Sequence, residues 1–105
     1  MASKWNCAIC SKQIMWSELF TFYSKGAAHF FCFKDVAMQT KKEGVPVDAL
    51  LNMLESELRM IVSYKKHLSE TTNEDLKKVL DENEKDAEKH AALLTKLIDR
   101  MALQK

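Results

Sequence analysis

Two close pairs of metal-ligating side chains constrain this chain more than any other feature. Cys7-Ala8-Ile9-Cys10 is followed, after eighteen residues, by His29-Phe30-Phe31-Cys32. A fold that serves both pairs must bring residues 7–10 and 29–32 to one point. Three thiols and an imidazole make a Cys3His set, one of those that hold Zn2+ in a closed tetrahedron. The two-residue spacer lets a tight turn aim both ligands of a pair at one ion, leaving backbone N–H groups for the thiolates. The reading is one structural Zn2+ per chain on Cys7, Cys10, His29 and Cys32. A cysteine cluster in an apolar core, a redox C-x-x-C and an iron or iron–sulfur site draw on the same residue types. The redox alternative would join Cys7 to Cys10 and orphan Cys32, and three cysteines cannot form a closed set of intrachain disulfides. Four protein ligands leave no open position on a metal, and no glutamate general base stands beside them, so the chain reads as a non-enzyme.

Between the pairs, Leu19-Phe20-Thr21-Phe22-Tyr23 is rich in strand formers, Lys25-Gly26 supplies a turn and Ala27-Ala28-His29-Phe30 returns, which predicts a β-hairpin. Helix character follows from Phe33 to about Lys42, placing Cys32 near a helix N-terminus that favours a thiolate. Knuckle, hairpin and helix in that order resemble a treble-clef zinc module. Cys7-x2-Cys10 followed by Gly26-Ala27-Ala28-His29-Phe30-Phe31-Cys32-Phe33 resembles the first zinc half of a LIM domain, over about residues 5–35. A LIM domain continues into a second four-ligand site. This chain has no further cysteine, so the resemblance implies a single zinc.

Composition divides the chain near Lys42-Glu43-Gly44-Val45-Pro46. Eight of the nine aromatic residues and all three cysteines lie before it. Six lysines face three acidic residues on that side, against ten basic and twelve acidic residues from Pro46 onward. The divided chain reads as a zinc head over 1–44 and a helical hairpin over 45–105. Gly44 closes the preceding helix and Pro46 opens the next at its first position, with Asp48 in the first turn. Leu50, Leu54, Ile61, Tyr64 and Leu68 then recur at helical spacing, widened by Leu51, Leu58 and Val62, so this helix runs to about Ser69. Thr71 with Glu74, or Thr72 with Asp75, makes a capping-box start for a second helix of roughly thirty residues. Its heptad seam is Leu76, Leu80, Asn83, Ala87, His90, Leu94, Leu97 and Met101. A short turn between two such helices implies an antiparallel hairpin. Two helices bury little by themselves, so a homodimer forming a four-helix bundle is expected. The fold class is α+β, mostly α.

The whole chain resembles a group of small uncharacterised archaeal proteins that combine a CxxC…HxxCF head with a helical hairpin ending in an EKDAEKHA-like segment, here Glu84 to Ala91. The resemblance implies a metal-binding protein of unknown role that is not an enzyme. That segment also resembles the metal helices of ferritin-like proteins, but their Glu-x-x-His needs an acid where this chain has Ala87. Glu57, Asp86 and His90 are expected to lie close together, as a polar contact that sets register with His90 a satisfied core histidine, or as a second metal site.

The head holds more aromatic rings than a unit of its size can bury, so Trp5, Trp16, Phe20, Phe22, Tyr23, Phe30, Phe31 and Phe33 are divided between packing on the hairpin or a second subunit and a recognition surface. With Lys4, Lys12, Lys25 and Lys34 nearby, such an aromatic surface could stack bases or hold a peptide. The net charge of +1 draws the chain globally to neither nucleic acid nor an anionic membrane. No run reaches the ~18–20 apolar residues of a membrane span, and Met1-Ala2-Ser3-Lys4 leads on without a signal-like apolar region. A cytoplasmic location is therefore expected. The functional expectation is a binding or adaptor module with structural zinc. A nucleic-acid- or ribosome-associated zinc protein comes second, and a ferritin-like metal or redox protein third.

Overall fold

The computed structural model describes residues 5–103; Met1-Ala2-Ser3 and Lys4 lie outside the described residues. The fold is α+β and mostly helical, about 66% helix with one two-stranded sheet. The elements are β1 (Phe20–Tyr23), β2 (Gly26–His29), α1 (Phe30–Thr40), α2 (Val47–Glu70), α3 (Glu74–Ile98) and a closing π-helical turn, Asp99–Leu103.

The chain opens with a tight knuckle. Asn6 bridges Gln13, the Ile14 N–H donates to the Trp5 carbonyl, and the Cys7 N–H donates to the Lys12 carbonyl. Ser11 turns the corner with φ of 68°, in the left-handed region that few residues other than glycine adopt. β1 and β2 pair antiparallel with Phe20 opposite His29 and Tyr23 opposite Gly26, whose φ of 116°, just after the Ser24-Lys25 turn, is open to glycine without steric cost. Strand alternation turns Thr21 inward, where its hydroxyl lies 2.6 Å from that of Thr95 on α3, and leaves Phe22 outward. A polar pair thus fastens the hairpin to α3 with both hydroxyls satisfied. Asp99 adds a second tie: its Oδ2 accepts the Ser24 N–H at 3.2 Å.

α1 starts at Phe30, three residues before the sequence reading. The Phe30 N–H donates to the Leu19 carbonyl, so β2 passes into the helix without a loop. It buries Phe30, Phe33 and Ala37, spaced three and four apart on one face. Gly44, with φ of 84°, reverses the chain into α2. Pro46 stands one residue ahead of that helix rather than at its first position, and Val47 begins it. The second start also differs. Neither threonine caps α3; Asn73 does, its side chain accepting the Leu76 N–H at 2.9 Å. The Thr71 hydroxyl instead accepts the Asn73 N–H. Asn ranks above Thr as an N-cap, and Asn73 stands three residues before the Leu76 N–H that it accepts.

α2 and α3 run antiparallel across the three-residue link 71–73. Val47, Leu51, Leu54, Leu58 and Ile61 form the buried face of α2. On α3 the buried positions are Ala87, Ala91, Thr95 and Ile98, so the expected seam is rotated. Ala87 stays buried, Leu80, Leu94 and Leu97 are half-buried, and Leu76, Asn83 and His90 are exposed. The head causes the shift: β1 lies on α3 beside Ala91 and Thr95 and draws the small residues inward. One apolar cluster joins Cys7, Ile14, Phe30 and Phe33 of the head to Leu54, Ala91 and Ile98 of the hairpin. The core ends abruptly. Among the described residues none between Ile61 and Ala87 is buried, so the far half of the hairpin projects from the body of a molecule 48 Å long and 16 Å thick.

Leu54→Ala should lower unfolding free energy by about 2–5 kcal/mol through the cavity it opens. Asn73→Ala should lower it by about 0.5–2 kcal/mol through the lost cap. Urea denaturation followed by circular dichroism measures both.

Candidate metal centre

Three local structures deliver the four ligands. The knuckle carries Cys7 and Cys10, the last residue of β2 is His29, and the first turn of α1 carries Cys32. The Ala8 N–H donates to the Ala27 carbonyl at 2.8 Å, which docks the knuckle on β2 and sets Cys7 beside His29. The four donor atoms lie within 4.8 Å of one another. His29 Nδ1 is 3.3 Å from Cys10 Sγ and 3.8 Å from Cys32 Sγ. Ligands held 2.0–2.3 Å from a tetrahedral ion sit roughly 3.3–3.8 Å apart, so the donors are close to the spacing an ion needs. These four residues could hold a metal ion.

The thiols differ in surroundings. Cys7 is buried, and its sulfur accepts the N–H groups of Ile9, Cys10 and His29, each at 3.4 Å. Burial pushes this thiol up, but the three N–H groups outweigh it and bring the pKa down to about 6. Burial pushes Cys32 up, and its contacts with the Cys10 and Cys7 side chains add to that, to about 12. Such opposed shifts are what clustered thiols show when charge must be shared among them, and a cation at their centre would relieve it. Cys10 is exposed on the rim of an open cleft that Lys12 and Phe31 also line.

One residue at this site escaped the sequence reading, which placed no glutamate beside the ligands. Glu18 Oε2 lies 3.2 Å from His29 Nε2, on the side of the ring away from the thiols, and Glu18 Oε1 accepts the Met15 N–H at 2.9 Å. Glu18 stands in the loop before β1, eleven positions from His29, where no ligand spacing points to it.

The model of a family described as "Uncharacterized protein conserved in archaea (DUF2175)" matches residues 3–100. The chain belongs to this archaeal family. No curated protein and no solved structure matches it significantly. The chain keeps its second polar cluster apart from the Cys3His group. His90 Nδ1 lies 3.5 Å from Glu57 Oε1, as expected, but His90 is 59% exposed and so is not a core histidine. Asp86 is exposed as well. Among the described residues the cluster able to hold a metal is the Cys3His set.

In chelator-treated protein, a thiolate absorbance step with a midpoint near pH 6 from Cys7 should come well before the step of Cys32. A folded-state pKa below the ordinary thiol value stabilises the fold above that value. The contribution should fade as pH falls through about 6, which denaturation midpoints of the chelator-treated protein across that range would register.

Proposed function

We propose that this chain is a zinc protein with one structural ion in a treble-clef head, acting as a binding or adaptor module and not as a catalyst. The carrying observation is the convergence of Cys7, Cys10, His29 and Cys32 from three separate local structures to within 4.8 Å. Three sulfurs and a nitrogen suit Zn2+ better than harder cations, and four protein donors complete its tetrahedron. A structural ion also accounts for the head's economy, because apparent binding free energies of ~10–16 kcal/mol in small zinc peptides go into folding.

The binding role is supported by the apolar surface that the fold leaves outside. Trp5, Trp16 and Phe22 are about half exposed, and Trp5, Phe20 and Phe22 touch one another with ring centroids 5.2–6.2 Å apart. Phe20, Phe22 and Trp16 wall a groove of about 250 Å³ against α2 and α3. Glu18 and Glu88 line that groove against the single cation Lys65, a balance that favours a protein partner over phosphate. No helix among the described residues is long and apolar enough to cross a membrane.

The hairpin supports self-association. Met53 and Met60 lie seven residues apart on α2, each roughly 100° around the helix from the buried Leu54 and Ile61. Leu76, Val79 and Leu93 are exposed on α3. The projecting half has no core of its own, and a second hairpin packed against it would form a four-helix bundle.

Elemental analysis of protein purified without chelator should find one zinc per chain, and Cys32→Ser should remove it and lower the thermal midpoint. Less than half a zinc per chain refutes the metal assignment. Sedimentation equilibrium at micromolar concentration should give a dimer that Met60→Glu with Val79→Glu dissociates; a monomeric wild type refutes the bundle.

A further inference from the structure

We propose that Glu18 is the positioning residue of the metal centre, holding His29 in the tautomer and orientation that present Nδ1 to the ion. This rests on the metal-site reading above and adds a residue outside the four ligands. A neutral imidazole carries one proton on two nitrogens, and an ion takes the bare one. Nδ1 faces the sulfurs of Cys10 and Cys32 at 3.3 and 3.8 Å. Nε2 faces Glu18 Oε2 at 3.2 Å. An ionised carboxylate can only accept, so the proton stays on Nε2 and the lone pair on Nδ1 points among the thiols.

The second oxygen of Glu18 makes this more than a surface ion pair. Oε1 accepts the Met15 N–H at 2.9 Å, and the Glu18 N–H donates back to the Met15 carbonyl at 3.0 Å. The turn from Met15 to Glu18 is closed by its own side chain, and the carboxylate is fixed at both oxygens although it is 43% exposed. An exposed pair between mobile side chains contributes little because ordering them offsets the attraction. Here the acceptor is ordered beforehand, and His29, with its side chain only 13% exposed, has little freedom to lose. Carboxylate, histidine and metal in line is an arrangement that fixes ring orientation and makes the nitrogen a stronger donor. The same turn carries Trp16, which lines the aromatic groove, so the ion and that wall of the groove share one anchor.

The test compares full-length wild type, Glu18→Gln and Glu18→Ala. Zinc affinity is read by competition with a chromophoric chelator, helicity by circular dichroism, and the His29 ring nitrogens by 15N NMR of zinc-loaded protein. Zinc should bind roughly 10–100-fold more weakly to Glu18→Ala. Glu18→Gln should lose less, since its amide oxygen can still accept one of the two bonds. The Nε2 proton should exchange slowly only with Glu at position 18, a signature that loss of the turn alone would not produce. Zinc held as tightly by both variants as by wild type, or a metal on Nε2, overturns the proposal. Should Glu18→Ala lose helicity, Glu18→Gln decides by the same two readouts. A wild type that takes up neither zinc, cobalt nor iron overturns the metal-site reading and this proposal together, whereas wild-type binding with unmoved variants overturns only the role of Glu18.

Discussion

The sulfur of Cys7 is where the head is held together. It is buried, it accepts three backbone N–H groups, and one of them comes from His29, twenty-two residues away. That third bond joins the knuckle to the end of β2, next to the Ala8 to Ala27 backbone bond. Once the knuckle sits there, Cys10 and His29 face each other and Cys32 follows one turn into α1. A buried thiol with three donors around it is stable as an anion, and an anion needs a cation nearby. The geometry of the backbone and the chemistry of the ligand set therefore make the same demand.

The hairpin depends on the head in turn. α3 presents alanines and a threonine at the contact, and their small side chains allow β1 to approach closely. The buried Thr21 to Thr95 pair and the Ser24 to Asp99 bond fasten this contact with polar groups that have partners. Phe30 and Phe33, flanking Cys32, are fully buried against the hairpin side of the cluster. These two phenylalanines are thus the apolar link between the Cys3His group and the helices. Beyond Ile61 and before Ala87 that link is gone, and the two helices continue on their own packing alone.

The contrast between the two polar clusters is instructive. Cys7, Cys10, His29 and Cys32 converge because backbone hydrogen bonds dock the knuckle on β2, which runs straight into α1. Glu57 and His90 meet at 3.5 Å, but on an exposed margin of the hairpin where solvent screens them. Spacing on a helix predicted their proximity correctly. It carried no information on burial, because the head rotated α3 about its axis relative to the seam that the heptad pattern implied.

The four residues that could hold a metal were legible in the sequence because metal chemistry ties residue type to spacing, and two such pairs rarely fall together by chance. Helix lengths, the hairpin and its turn were legible for a related reason: apolar periodicity and scarce glycine and proline act locally. Family membership was legible from the same head and the Glu84 to Ala91 segment. Tertiary structure decided what local pattern cannot encode. It chose Asn73 over two threonines as a cap, turned Thr21 rather than a phenylalanine inward, exposed three of the eight α3 seam positions and brought Glu18 from an unmarked loop to His29. Each of these depends on which distant surface packs against a residue, and contact between segments far apart in the chain is set by the packed fold rather than by any repeat within the segments.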